Sequence, residues 1–247
     1  MAEKIMIASG KGGVGKSTVT SYLGKALAQS GLKVLLIDSD TVLGALDIML
    51  CVSEKKMNNW ADVAQGNCDV RNAMISVSDN LHLLPSPDIY PADIPETVFA
   101  DIISECEKDF DYILIDAPAG IDENMKRATI CSNRAIFVAT ADEISVKCAS
   151  AAASEAEKFG VQREDMRLVI NRFVKKAALK SKLLNIDGVI DKSGVQLLGI
   201  LPEDKKIPFS SVTEVFPDKK SSFIKATRRI TDRIQGKNVP LLLKELK

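Results

Sequence analysis

Short apolar runs rich in Ile, Val and Leu recur along the chain, and stretches with helical spacing lie between them. The pattern predicts strands over residues 4–8, 33–37, 81–84, 112–115, 135–139, 168–170 and 197–201. It predicts helices over 17–30, 97–108 and 145–159; in the second, Val98, Ile102 and Cys106 recur four apart. A last helix carries Phe223, Thr227, Ile230 and Ile234 on one face and closes at Gly236. The strands are apolar on both sides, as strands are when helices cover a parallel sheet from above and below. Strands alternating with helices build βαβ units, so the expected fold is a single α/β domain with a doubly wound, mostly parallel sheet and helices on both faces. The fourth strand is expected to stop at Asp116-Ala117-Pro118, and residues 86–96, with Pro87, Pro91 and Pro95, to form a surface loop. No linker or internal repeat divides the chain, which reads as a domain over residues 1–236 and a short tail over 237–247.

Composition narrows the function. The chain has 247 residues, 46% of them hydrophobic and 27% charged, enough to bury a full sheet and too apolar for disorder. Lys+Arg and Asp+Glu both number 33, a neutral balance that argues against a chain coated in nucleic acid. No apolar run approaches the 18 or so residues of a membrane span. The few residues before the first strand are too short for a signal-peptide core, so a cytoplasmic location is expected. The five cysteines (Cys51, Cys68, Cys106, Cys131, Cys148) include no Cys-x-x-Cys pair, and His82 is the one histidine. A disulfide framework, a zinc ribbon and a Cys–His couple are therefore disfavoured, and the cysteines read as small core residues.

The chemistry concentrates in Gly10-Lys11-Gly12-Gly13-Val14-Gly15-Lys16-Ser17. This fits G-x-x-x-x-G-K-[ST] between a predicted strand and a predicted helix, the setting a phosphate loop needs. Glycines let the backbone turn so that successive N–H groups face one phosphate, and the following helix adds its positive dipole end. Lys16 is expected on the β- and γ-phosphates and the Ser17 hydroxyl on Mg²⁺, with Thr18 counted beside them as a nucleotide contact. Two strand ends carry carboxylates, Asp38 and Asp40 after one and Asp116 after the other. In doubly wound sheets ligands sit at the carboxyl ends of strands.

Lys11 is a second cation that an ordinary phosphate loop does not require, and no task for it within its own subunit is evident from sequence. Lys-Gly-Gly-x-Gly-Lys-[ST] is a deviant form of the motif, and with it the chain resembles the MinD/ParA family of dimerising ATPases, the MinD branch most closely. The likeness runs nearly the whole length, through Leu46-Asp47, Asp116-Ala117-Pro118-Ala119-Gly120-Ile121 and Leu198-Gly199-Ile200-Leu201-Pro202-Glu203-Asp204. The resemblance implies that Lys11 reaches the partner subunit's phosphates in an ATP-bound homodimer and that Asp40 positions the attacking water. It implies that Asp38 supports the loop and counts with the metal group, that Asp116 meets Mg²⁺ through water, and that the Gly120 N–H approaches the γ-phosphate. No Asn-Lys-x-Asp guanine reader occurs, and the resemblance places the Asn171 amide on adenine, with Arg172 beside it and Pro202, Glu203 and Asp204 along the base; a capping role for Asn171 stays open.

The family further implies slow hydrolysis stimulated by a regulatory protein, and positioning of cell-division or other polar machinery at the inner membrane face. Pro240 and the apolar Leu242, Leu243 and Leu246 suit a short amphipathic anchor for an anionic membrane surface, or else a cap that packs back on the domain. The rivals are a DNA-partitioning ATPase of ParA type, to which Lys219-Lys220 and Arg228-Arg229 would contribute, a flagellar-number regulator, a metal-cluster carrier and a small-molecule kinase or ligase. Gly44-Ala45 stands where MinD sequences tend to carry Arg-Asn, and residues 124–129 also depart from the pattern, so the regulatory partner is left open.

Overall fold

A computed structural model shows one eight-stranded sheet, and it describes residues 1–41, 44–88, 94, 96–175, 183–207 and 221–241. The strands are β1 (Glu3–Ser9), β2 (Val34–Asp38), β3 (Ile75–Ser78), β4 (Leu81–Leu84), β5 (Tyr112–Ala119), β6 (Arg134–Ala139), β7 (Met166–Phe173) and β8 (Leu197–Pro202). Their spatial order is β3-β4-β2-β5-β1-β6-β7-β8, and every neighbouring pair is parallel except β3 with β4. The helices among the described residues are α1 (Lys16–Gln29), α2 (Leu46–Met49), α3 (Trp60–Ala64), α4 (Val70–Ala73), α5 (Glu96–Cys106), α6 (Glu123–Ile130), α7 (Glu143–Lys158), α8 (Ile186–Ser193) and α9 (Ser222–Ile234).

The sheet divides the core in two, as double-sided apolar strands require. In β1, Ile5 and Ile7 join Leu23 and Leu27 of α1 and Ile230 of α9 on one side. Met6 and Ala8 join Ile102 of α5, Ala128 of α6 and Ala149 of α7 on the other. The alanine repeat of α7 is explained here: Ala149, Ala152, Ala153 and Ala156 are fully buried, and small side chains let the helix lie close to the sheet. Gly10 sits against this helix, since a Cβ there would fall 2.1 Å from the Cys148 carbonyl oxygen. On the opposite side α9 presses on β8, where a Cβ on Gly199 would fall 2.4 Å from Ile230, and Arg233 donates to the Leu198 carbonyl at 2.6 Å.

Several sequence expectations change. β5 continues through Asp116 and Pro118 to Ala119, because Asp116 stays in register with Ile7 and Asp38. A register shift between Ile7 and Ser9 accommodates the proline, which cannot donate to a ladder. β7 likewise runs past Ile170 to Phe173, whose carbonyl accepts the Glu203 N–H at 3.1 Å. β3 was not expected; it has four residues with only Ile75 buried, too few and too polar to stand out. The start of the expected surface loop is buried instead: Pro85, Ser86 and Pro87 pack inside, and Gly44 leaves room for Ser86, whose Oγ would lie 2.1 Å from a Cβ there. The helix at the C-terminus is capped by Ser221 and closed by Gly236 at φ 79°, with the Lys237 N–H on the Asp232 carbonyl at 2.9 Å. Lys219, Lys220, Leu242, Leu243 and Leu246 lie outside the described residues.

Candidate functional site

The turn from β1 into α1 is built by glycines in the left-handed region, Gly13 at φ 78° and Gly15 at φ 90°. Gly15 caps α1 without a side-chain hydrogen bond, and the first turn holds no acid. The helix therefore presents its N-terminal N–H groups and positive end undiluted to whatever anion enters. Lys16 is the first helical residue and is nearly buried, its side chain 6% exposed. Its Nζ lies 3.0 Å from Asp116 Oδ2 and 3.3 Å from Ser17 Oγ. Thr20 donates to the other Asp116 oxygen at 2.7 Å. Asp116 is 1% exposed, and its burial is compensated by this cation and hydroxyl.

Asp38, at the end of β2, spends its carboxylate on the backbone that follows. Oδ1 accepts the Asp40 N–H at 3.1 Å, and Oδ2 accepts those of Ala45 and Leu46, both at 3.1 Å. Burial, with the Asp116 carboxylate nearby, pushes its carboxyl up to about 7. Trp60 of α3 donates to the Asp38 carbonyl at 3.1 Å and fixes the strand end from below. Asp38 is thus a brace for the segment carrying Asp40. Val42 and Leu43 of that segment lie outside the described residues.

Two residues named from sequence have protein partners of their own. Lys11 does have a partner in its own subunit: its Nζ lies 3.5 Å from Asp142 Oδ1, with the two side chains 43% and 36% exposed. Asp142 caps α7 through the Ser145 N–H at 3.0 Å and accepts the Thr140 hydroxyl at 2.5 Å. Burial works to raise its carboxyl, but those hydrogen bonds and the Lys11 ammonium outweigh burial and hold it below the ordinary carboxylate value. The Gly120 N–H, expected at a phosphate, donates to the Ser9 carbonyl at 2.9 Å instead, so it must leave that bond to meet a ligand.

Beyond the loop opens a cavity of about 570 Å³, within the range of small-molecule sites. Thr18, Asn171, Arg172, Pro202, Glu203 and Asp204 line it, so residues named separately from sequence meet in one place. Met49 and Phe223 complete its apolar wall. Phe223 also belongs to the core face of the last helix, where its ring meets Tyr22 edge to face with centroids 5.1 Å apart; the apolar spacing that marks that face carries no sign of the cavity. Asn171 turns one amide N–H to the Val14 carbonyl at 2.8 Å, and Asp204 is held by the Ser221 hydroxyl at 2.8 Å.

The site can seat an anion chain on the loop and a planar apolar group in the cavity, which is the outline of a nucleotide. Comparisons agree. A family model described as ParA, NUBPL iron-transfer P-loop NTPase, matches residues 1–235. The septum site-determining protein MinD of Thermotoga maritima is 33% identical over 247 residues, covering 98% of this chain and 91% of that one. The MinC:MinD cell division protein complex of Aquifex aeolicus superposes with a TM-score of 0.89 at 29% identity, covering 98% of both chains. MinD of Pyrococcus horikoshii, solved with Mg-ADP, gives 0.83 at 25% identity over 95% of this chain and 96% of that one. A phosphate loop with a second lysine, strand-end carboxylates around it, and this breadth of likeness together establish that the chain belongs to the MinD/ParA family of phosphate-loop ATPases.

Proposed function

We propose that the chain is an ATP-driven switch of the MinD type, monomeric when empty and paired across two bound nucleotides. The observation that carries this reading is the contrast between the two loop lysines, one buried on Asp116 and one exposed on Asp142. Lys16 exchanges Asp116 for β- and γ-phosphate oxygens when ATP enters. Lys11, held only by an exposed ion pair, is free to turn toward a second copy and place its charge on that copy's phosphates. Asp40 orients the water, and positioning and charge supply the catalysis, because the named site residues include no histidine and no evident general base beyond Asp40.

Mg²⁺ fits the donor set: the Ser17 hydroxyl and the Asp116 carboxylate, both hard oxygen donors, lie on either side of the Lys16 ammonium. A bound ion would neutralise phosphate charge; Asp38, whose two oxygens accept backbone N–H groups, would support these ligands through the segment it braces.

By likeness to MinD, the paired form sits on the inner face of the membrane, held by the tail over 237–247, and meets a regulatory protein that speeds hydrolysis. Residues 237–241 leave α9 with the Val239 carbonyl held by Arg233 Nε at 3.0 Å, so the tail starts from a fixed point. Size-exclusion with light scattering of Asp40→Ala tests the switch: ATP should give a dimer and ADP a monomer, and a monomer under both conditions would end this reading. Sedimentation with anionic vesicles tests the tail, with ATP-dependent binding expected and lost on deleting residues 239–247. A ParA-type partition role has one observation in its favour, the exposed Lys225 and Arg228 on α9. Salt-sensitive DNA capture that requires ATP would favour it.

A further inference from the structure

The end of β7 grips the phosphate loop from outside, and two successive residues make the contact. Asn171, 3% exposed, donates from Nδ2 to the Val14 carbonyl at 2.8 Å. Arg172 donates from Nη1 to the Gly13 carbonyl at 3.0 Å. The fit at the first contact leaves no room for change, since a Cβ on Gly15 would fall 2.4 Å from the Asn171 amide nitrogen.

A trans peptide is planar, with its C=O and the next residue's N–H pointing in opposite directions. Pulling the Gly13 carbonyl outward therefore turns the Val14 N–H inward. Pulling the Val14 carbonyl outward does the same for the Gly15 N–H. Two of the loop's N–H donors are thus aimed by hydrogen bonds made to the far side of their peptide groups. Arg172 adopts φ 52°, a conformation that residues other than glycine rarely take, and from it the guanidinium reaches the Gly13 carbonyl. Both residues also line the cavity assigned to the base.

We propose that Arg172 is a positioning residue for the phosphates. Acting through the Gly13 carbonyl, and together with Asn171, it holds the loop in its anion-receiving shape before a ligand arrives and joins the base cavity and the phosphate site into one rigid unit. This rests on the nucleotide-site reading above and goes further, giving Arg172 a task at the end of the ligand opposite to the base.

The test uses the full chain and two probes, ADP and inorganic pyrophosphate, each measured by competition against a fluorescent ADP analogue. Arg172→Met removes the donor and should weaken both probes by a similar factor, roughly three- to tenfold, the worth of one hydrogen bond. Arg172→Lys keeps a donor about one bond short of the guanidinium's reach and should recover part of both losses. Arg172→Gly suits the positive φ but lacks the guanidinium, and should resemble Arg172→Met. Thermal unfolding shows that each variant is folded. Loss of ADP binding with pyrophosphate unchanged would make Arg172 a base contact and overturn the proposal. Losses that fade at high salt would show that the charge acts directly on phosphate, and would overturn it too, as would equal weakness of the Lys and Met variants or wild-type affinity in Arg172→Gly. If the wild-type chain binds neither probe nor the analogue, the nucleotide reading itself falls, which is a distinct result from variants that match a binding wild type.

Discussion

Lys11 and Lys16 stand five residues apart in one loop, yet they inhabit opposite environments. Lys16 is 6% exposed against a carboxylate that is 1% exposed, while the Lys11–Asp142 pair is 43% and 36% exposed. A buried pair stripped of one member leaves a charge in a low-dielectric interior, at a cost of about 3–5 kcal/mol. An exposed pair contributes about 0–1 kcal/mol and weakens with salt. The same ammonium group is therefore a fixed part in one position and a movable one in the other. Sequence type says nothing of this; burial decides it.

That contrast can be broken in several ways. The largest expected effect is on turnover: Lys11→Ala should retain ATP binding yet lower hydrolysis by about 10³-fold or more, as for a cation supplied from a partner subunit. Lys16→Ala should lose nucleotide binding altogether. Equilibrium binding combined with single-turnover hydrolysis separates the two, and a Lys11 variant that hydrolyses at the wild-type rate would erase the distinction.

Next comes stability. Asp116→Ala should destabilise the empty protein by about 3 kcal/mol in urea, because Lys16 is left buried without its counter-charge. Asp142→Asn should cost under about 1 kcal/mol, since Asn caps a helix as well as Asp does and only the exposed charge is lost. Equal losses from the two changes would mean that burial does not set the difference.

A smaller effect concerns pairing. Asp142→Asn releases Lys11, so the ATP dimer should tighten by up to about fivefold, with the gain fading in high salt. Sedimentation equilibrium at two ionic strengths would check it; a dimer weakened tenfold would instead place Asp142 in the contact itself.

The least effect lies far from the loop, in His82, which packs edge-on against Phe110 with ring centroids 5.6 Å apart. Burial holds its imidazole below the ordinary histidine value. The unfolded chain therefore takes up the proton first as pH falls below about 6.5, and stability drops from there down to the folded-state value. Unfolding free energies measured from pH 7.5 to 5 should show this decline, flattened in His82→Gln.

The fold was legible because parallel strands covered on both faces are apolar throughout, and the loop because its two fixed glycines, lysine and hydroxyl residue each answer a chemical need of a bound phosphate. Asn171, Pro202 and Asp204 were named through the family resemblance, and what the structure adds is that they line one cavity. Other features depend on what the sheet brings together. Asp142 follows β6 and Lys11 follows β1, and only the lateral pairing of those strands makes them neighbours. The bond from the Gly120 N–H to Ser9 follows from β5 lying on the other side of β1. Arg172 at a positive φ and the short strand β3 carry no local signature, since one is imposed by the loop it grips and the other by the strand it pairs with.

The press of α9 on β8 bears on how copies of this chain can meet. Strand edges are templates for fusing one sheet to another, often irreversibly. Here α9 lies over β8, and Arg233 occupies the Leu198 carbonyl of that outer strand. The opposite margin, β3, is four residues long and loses register between Ser76 and Ser78. Neither described margin offers a long straight ladder for a second sheet to extend. The ATP-dependent pair proposed above, which would have to part after hydrolysis, would be served by such blunt margins, because they give a second sheet little to fuse with.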